Sequence, residues 1–149
     1  MSRIKNFEEY IRLGIVKKQI QNKSRVEFLI KESERSYNFL LNLINKIGVD
    51  NETANDFVKI CYDSLMGLIR AKMLINGYNS SGTGAHEAEV SYMRLLGFSE
   101  NEVQFADQVR FFRNGIMYYG TLLDEDYAKK VIEFTKKNYL KLKKILNLD

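Results

Sequence analysis

The segment Arg110-Phe111-Phe112-Arg113-Asn114-Gly115-Ile116-Met117-Tyr118-Tyr119-Gly120 is the part of the chain best equipped for chemistry. On a helix, Asn114 and Tyr118 are four residues apart, so they project about 40° from each other and can touch. Arg113 points about 100° away from Asn114, toward a different surface. A guanidinium offers five donors in a planar fork, a shape suited to a phosphate. The carboxamide beside it can orient that phosphate or a neighbouring side chain. Gly115 and Gly120 are expected to loosen the helix around the group. The rings of Phe111, Phe112, Tyr118 and Tyr119 can stack on bases beside Arg110 and Arg113; the same rings at helical spacing also suit a core or a dimer interface.

His86 is the only histidine. It lies in Gly82-Thr83-Gly84-Ala85-His86-Glu87, where a helix is expected to begin. One histidine and one distant cysteine give no metal-ligand spacing, so neither a metal nor another cofactor is expected. Two readings of His86 stay open. It supplies a base near Arg113, or it makes a hydrogen bond at a helix start and faces solvent. The glycine-rich loop before it has backbone N–H groups that suit an anion. It lacks the Gly-Lys-Ser/Thr ending and the preceding strand of a phosphate-binding loop, so a plain connector is expected. Cys61 falls in an apolar helical pattern and reads as a core residue. Lys136, Lys137, Lys141, Lys143 and Lys144 form either a basic face or an ordinary solvated one.

Helices must position these groups. Residues 3–21 carry Ile4, Phe7, Tyr10, Ile11, Ile15 and Val16 at helical spacing and predict a first amphipathic helix, with 19–23 as a connector. Ser24 and Glu27 have capping-box spacing and open a second helix, which Gly48 ends. Asp50 or Asn51 caps a third helix, ended by Gly77. Residues 79–84 read as a flexible loop. A fourth helix is expected over 85–96, stopped by Gly97. Ser99 and Glu102 open a fifth, which Gly120 ends, and Asp124 caps the last. No segment reads as a strand. Short loops between long helices make neighbours antiparallel, so the expected fold is all-α: an up-and-down bundle of about five to six helices. The chain reads as one domain over 1–149, with 1–23 as a helical extension that packs on the bundle or on a partner and 24–149 as the core bundle.

Composition agrees with that frame. The 149 residues are 45% hydrophobic and 28% charged, with no proline to break a helix. A single cysteine forms no intrachain disulfide, which fits a reducing cytoplasmic setting. The start of the chain is charged and amphipathic, unlike a signal peptide. No apolar run reaches the roughly 20 residues of a membrane span. The net charge is +4, with mildly basic ends and a mildly acidic middle. That balance permits contact with nucleic acid without requiring it.

Arg113-Asn114 followed by Tyr118 resembles the motif of the HEPN family of small helical proteins. There an arginine, usually followed by a polar residue such as asparagine, precedes a histidine near a helix end. Here tyrosine stands where histidine is expected. The motif falls just before the final helix, and the upstream helix pair with its polar loop and His86 is similar too. The resemblance covers roughly residues 24–146. It implies a HEPN-like bundle and a homodimer with the two motifs face to face across a groove. It also implies a small nucleotidyltransferase partner in a toxin–antitoxin module, RNA or nucleotide as ligand, and no metal or cofactor. Arg113, Asn114 and Tyr118 become the expected catalytic residues, with His86, Tyr119 and Arg110 accessory. In nuclease members the histidine helps remove the ribose 2′-hydroxyl proton and the arginine stabilises the phosphorane. A free phenol has a reference pKa of about 10, so about one in a thousand is ionised at pH 7. A tyrosine is therefore a poor base, and ribonuclease activity is expected to be weak, altered or absent. On the same resemblance, Tyr118 or Tyr119 offers a hydroxyl for the partner to modify. Two alternatives stay open: a non-enzymatic dimeric interaction module with the same fold, and an unrelated bundle in which Arg113-Asn114 is fortuitous.

Overall fold

The computed structural model describes residues 4–148; residues 1–3 and 149, the outer ends of the expected extension and last helix, lie outside the described residues. Six helices and two short strands follow in order: α1 Phe7–Arg12, β1 Val16–Lys18, α2 Lys23–Ile47, α3 Ala54–Ile75, β2 Tyr78–Ser80, α4 Ala85–Tyr92, α5 Glu100–Tyr119 and α6 Glu125–Ile145. The all-α expectation is met.

The architecture is organised around α3, which packs on α2, α4, α5 and α6. Its sequence explains the role. Phe57, Val58, Cys61, Leu65, Leu68, Ile69, Met73 and Leu74 are all buried and cover most of its circumference. A helix that is apolar nearly all round must be enclosed. Against α2 it crosses closely at Gly67, where an added Cβ would lie 3.1 Å from Ser33 Cβ. The Ser33 hydroxyl donates to the Ser64 carbonyl oxygen at 2.5 Å, tying the two helices at the crossing. Tyr37 of α2 stacks on Tyr139 of α6 with centroids 3.9 Å apart.

The N-terminal segment departs from the expected 3–21 helix. α1 covers only Phe7–Arg12; Gly14 then takes φ 76°, which ends the helix. Val16–Lys18 pairs antiparallel with Tyr78–Ser80, Val16 opposite Ser80. Thus strands are present, one of them directly before the Gly82-Thr83-Gly84 loop, and Asn79 and Ser80 belong to β2, not to a flexible loop. Ile4, Phe7, Tyr10 and Val16 are buried in the main core, so the segment packs within the bundle.

Caps also shift. Asn22, not Ser24, caps α2 through a bond from Arg25 N–H. Thr53 precedes α3, bonded reciprocally with Asp50. Asn51 instead accepts the Glu125 N–H at the start of α6. α4 ends at Tyr92 and continues as turns to Gly97. The Ser99–Glu102 capping box, the Gly120 stop and the Asp124 cap stand as read.

Candidate functional site

Three helices place charged side chains over one buried ring, Tyr62 of α3. Its residue is 6% exposed, and its hydroxyl has no hydrogen-bond partner among the described residues. Burial pushes that phenol far above the ordinary value, and Glu89, Arg110, Arg70 and Arg113 all lie close enough to act on it electrostatically. The Arg113 guanidinium carbon sits 5.6 Å from the Tyr62 ring centroid, a cation–π distance.

Arg113 donates from Nε to Asp63 Oδ1 at 2.9 Å and from Nη2 to Asp63 Oδ2 at 3.3 Å. The pair is partly solvated: the side chains are 28% and 51% exposed. Seven residues on from Asp63, about 10 Å along the axis and on the same face, Arg70 repeats the arrangement. Its Nε donates to Glu89 Oε2 at 2.5 Å and its Nη2 to Oε1 at 2.9 Å. In both arginines the Nε edge is clamped and Nη1 makes no hydrogen bond among the described residues. Arg110, one turn before Arg113, donates to Asp107 at 2.7 Å and reaches to 3.8 Å from Glu87.

Glu89 is the buried anchor of the group, with a side chain 3% exposed. Burial pushes its carboxyl up, but hydrogen bonds from His86 and Arg70 and the Arg70 charge outweigh burial and hold it below the ordinary carboxylate value. His86 Nδ1 lies 3.1 Å from Glu89 Oε1, and the imidazole itself is 67% exposed. Ser80 Oγ, at the end of β2, reaches Glu89 Oε2 at 3.3 Å. The strand pair therefore fixes the approach to α4: Ser81 N–H bonds the Ile15 carbonyl oxygen at 3.0 Å, and Gly84 enters the helix at φ 89°.

The motif at the end of α5 is only partly gathered into this group. Arg113, Arg110 and His86 belong to it. Asn114 is exposed; Tyr118 and Tyr119 are 72% and 79% exposed. None of the three makes a side-chain hydrogen bond among the described residues, so no hydrogen bond joins Asn114 to Tyr118. Tyr118 and Tyr119, like Phe111, Met117 and Leu122, are large side chains left exposed along and just after the end of α5. Phe112 is held against Tyr127 of α6, edge to face at 5.2 Å. Gly115 does not loosen α5. After Gly120 the chain folds back so that Thr121 N–H bonds the Gly115 carbonyl oxygen at 3.2 Å, and a methyl at Gly115 would collide with the Thr121 hydroxyl. Asn55 locks the turn, donating to the Thr121 carbonyl oxygen at 2.8 Å and accepting from Leu123 N–H at 2.9 Å.

Asp63, Arg70 and Glu89 were missed by sequence reading. The usable signals were the seven-residue spacing of Asp63 and Arg70 on an otherwise apolar helix, and a glutamate between Ala88 and Val90. A cleft of about 290 Å³ borders the group, lined by Glu32, Ser33, Arg35, Asp63, Gly67 and Arg70. Cys61 is buried and its thiol is pushed up to about 12, chiefly by burial. The α6 lysines are dispersed: Lys136 lies 3.9 Å from Glu133, Lys137 4.0 Å from Glu102, and Lys141 covers the Phe98 ring. No group of three His, Cys, Asp or Glu side chains among the described residues is placed to hold a metal ion. No helix among them is long and apolar enough to cross a membrane. No protein-family model matches the chain, and no curated protein matches it.

Proposed function

We propose that the chain is a HEPN-like protein that binds an RNA or nucleotide phosphate on the face formed by α3, α4 and α5, with metal-independent ribonuclease activity weak or lost at the motif itself. The observation that carries this reading is the pair of carboxylate-clamped arginines, Arg70 and Arg113. Each is oriented by a fork to its carboxylate and keeps Nη1 for a ligand. Oriented guanidiniums suit a phosphate because their donors match its oxygens. The four carboxylates of Asp63, Glu87, Glu89 and Asp107 outnumber the three guanidiniums of Arg70, Arg110 and Arg113, so binding rests on oriented hydrogen bonds and not on net charge, and affinity is modest and falls with salt. The exposed phenol of Tyr118 in the motif's base position is the reason for weak cleavage. A homodimer and a nucleotidyltransferase partner in a toxin–antitoxin setting belong to the same reading.

The test is fluorescence anisotropy of a labelled single-stranded RNA at low salt, with parent, Arg113→Ala and Arg70→Lys proteins. Binding by the parent that weakens about tenfold in Arg113→Ala is expected, about 1.4 kcal/mol. No binding by the parent, or equal binding by the variant, rejects the reading.

A second reading, a non-enzymatic dimeric module, is favoured by the exposure of Phe111, Met117, Tyr118, Tyr119 and Leu122 along and just after the end of α5. Several large apolar side chains exposed within one short stretch suit an association surface. Sedimentation that shows a monomer at high concentration counts against it.

A further inference from the structure

We infer that two copies of this chain pair antiparallel through the outer face of α2, a surface separate from the α5 motif and independent of the phosphate reading above. The inference starts from how little of α2 the fold buries. Of its 25 residues only Val26, Ser33 and Leu40 are buried, and its main neighbour is α3. Turned away from that seam are Phe28 and Phe39, 62% and 49% exposed. They are eleven residues apart, so they project within about 20° of each other and lie about 16 Å apart along the axis. Glu32 and Arg35, both exposed, fall between them on the same stripe. One exposed phenylalanine is ordinary. Two aligned on one helix face, bracketing an ion pair, suit an association surface.

The order of the stripe selects the partner. Phe28 and Phe39 are equally far from the point between Ser33 and Glu34, and so are Glu32 and Arg35. A two-fold axis through that point turns the stripe onto itself. In the antiparallel pair Phe28 of each copy faces Phe39 of the other, and Glu32 of each faces Arg35 of the other. Such a contact is isologous, the kind that closes a dimer. Arg35 is prepared for it. Its Nε donates to Glu32 Oε2 at 3.1 Å and its Nη2 to Oε1. Its Nη1 makes no hydrogen bond among the described residues and is left for the carboxylate of the second copy. The rings at either end keep water from the charges between them, which strengthens their attraction. No like charges are opposed along the flanks: Arg25 meets Asn42 and Lys31 meets Ser36. A partner of another sequence gives no reason for this symmetry. Glu32 and Arg35 also line the cleft beside Asp63 and Arg70, so α2 of the second copy runs along the mouth of each cleft. One helix face per copy is a small interface, so the dimer is weak and depends on concentration.

The experiment uses the symmetry through charge reversal. Full-length parent, Glu32→Lys, Arg35→Glu, Phe28→Ser and Tyr118→Ser proteins are followed by sedimentation equilibrium over a wide range of concentration at low salt. Far-ultraviolet circular dichroism on the same samples checks that each is folded. The parent is expected to dimerise. Glu32→Lys leaves only cations at the axis and Arg35→Glu only carboxylates, so each alone weakens association about tenfold or more. An equimolar mixture of those two variants recovers it, because every cation at the axis then faces a carboxylate. Phe28→Ser weakens the dimer, and Tyr118→Ser leaves it at the parental strength. A parent that stays monomeric overturns the inference, as does parental association by both charge variants or a mixture that stays monomeric. A dimer lost in Tyr118→Ser and kept in Phe28→Ser lies on α5, and overturns it too.

Discussion

Replacing Glu89 by glutamine is the most informative single perturbation of this fold. The carboxylate is 3% exposed and accepts from Arg70, His86 and Ser80. Glutamine keeps the volume and one acceptor oxygen but removes the charge facing Arg70. Breaking a buried ion pair costs about 3–5 kcal/mol because the remaining charge is left without compensation. Arg70 keeps 28% of its side chain in solvent, which lowers the cost to about 2–3 kcal/mol. At the size of this chain that corresponds to a fall in Tm of roughly 5–10 °C. The pH dependence has a definite sign. The folded carboxyl is held below its ordinary value of 4.5. Its contribution is therefore complete above that value and fades as the pH drops through the lowered folded value. Thermal melts of parent and Glu89→Gln followed by far-ultraviolet circular dichroism should differ at neutral pH and converge in acid. Equal melting temperatures at neutral pH, or a difference that persists unchanged in acid, would refute the account of Glu89 as an ionised anchor.

Three further outcomes are expected. Gly115→Ala should cost about 1–3 kcal/mol by overpacking against Thr121, read as a lower urea midpoint at unchanged slope. Ser99→Ala removes one side of a formed capping box and should lower stability by about 1 kcal/mol; a chemical melt indistinguishable from the parent's contradicts it. Cys61, buried and with its thiol raised to about 12, should react with a thiol reagent in native buffer only at the rate of opening, and quickly in denaturant. Fast native labelling would show that α3 is not enclosed.

Much of the helical layout was legible because its causes are local. Apolar periodicity marks the buried faces of α2, α3, α5 and α6, and Gly48, Gly120, Ser99 and Asp124 act within one turn of the helix ends they define. The first segment misled for a physical reason. Ile15 and Val16 continue a helical apolar spacing, but Gly14 turns the chain, and Val16 finds its partner at Ser80. A three-residue strand is held by pairing with a distant segment, and no local pattern announces that.

The site divides the same way. The residue types of Arg110, Arg113 and His86 marked them as reactive in the sequence. Their roles depend on Asp63, fifty residues from Arg113, and Glu89, nineteen from Arg70. Local sequence sets which backbone segments become helices, because hydrogen bonds and caps close within a few residues. Only the packing of α3 against α4 and α5 determines which charges meet, since an ion pair depends on distance in space and on exclusion of water, neither of which is written at any one position.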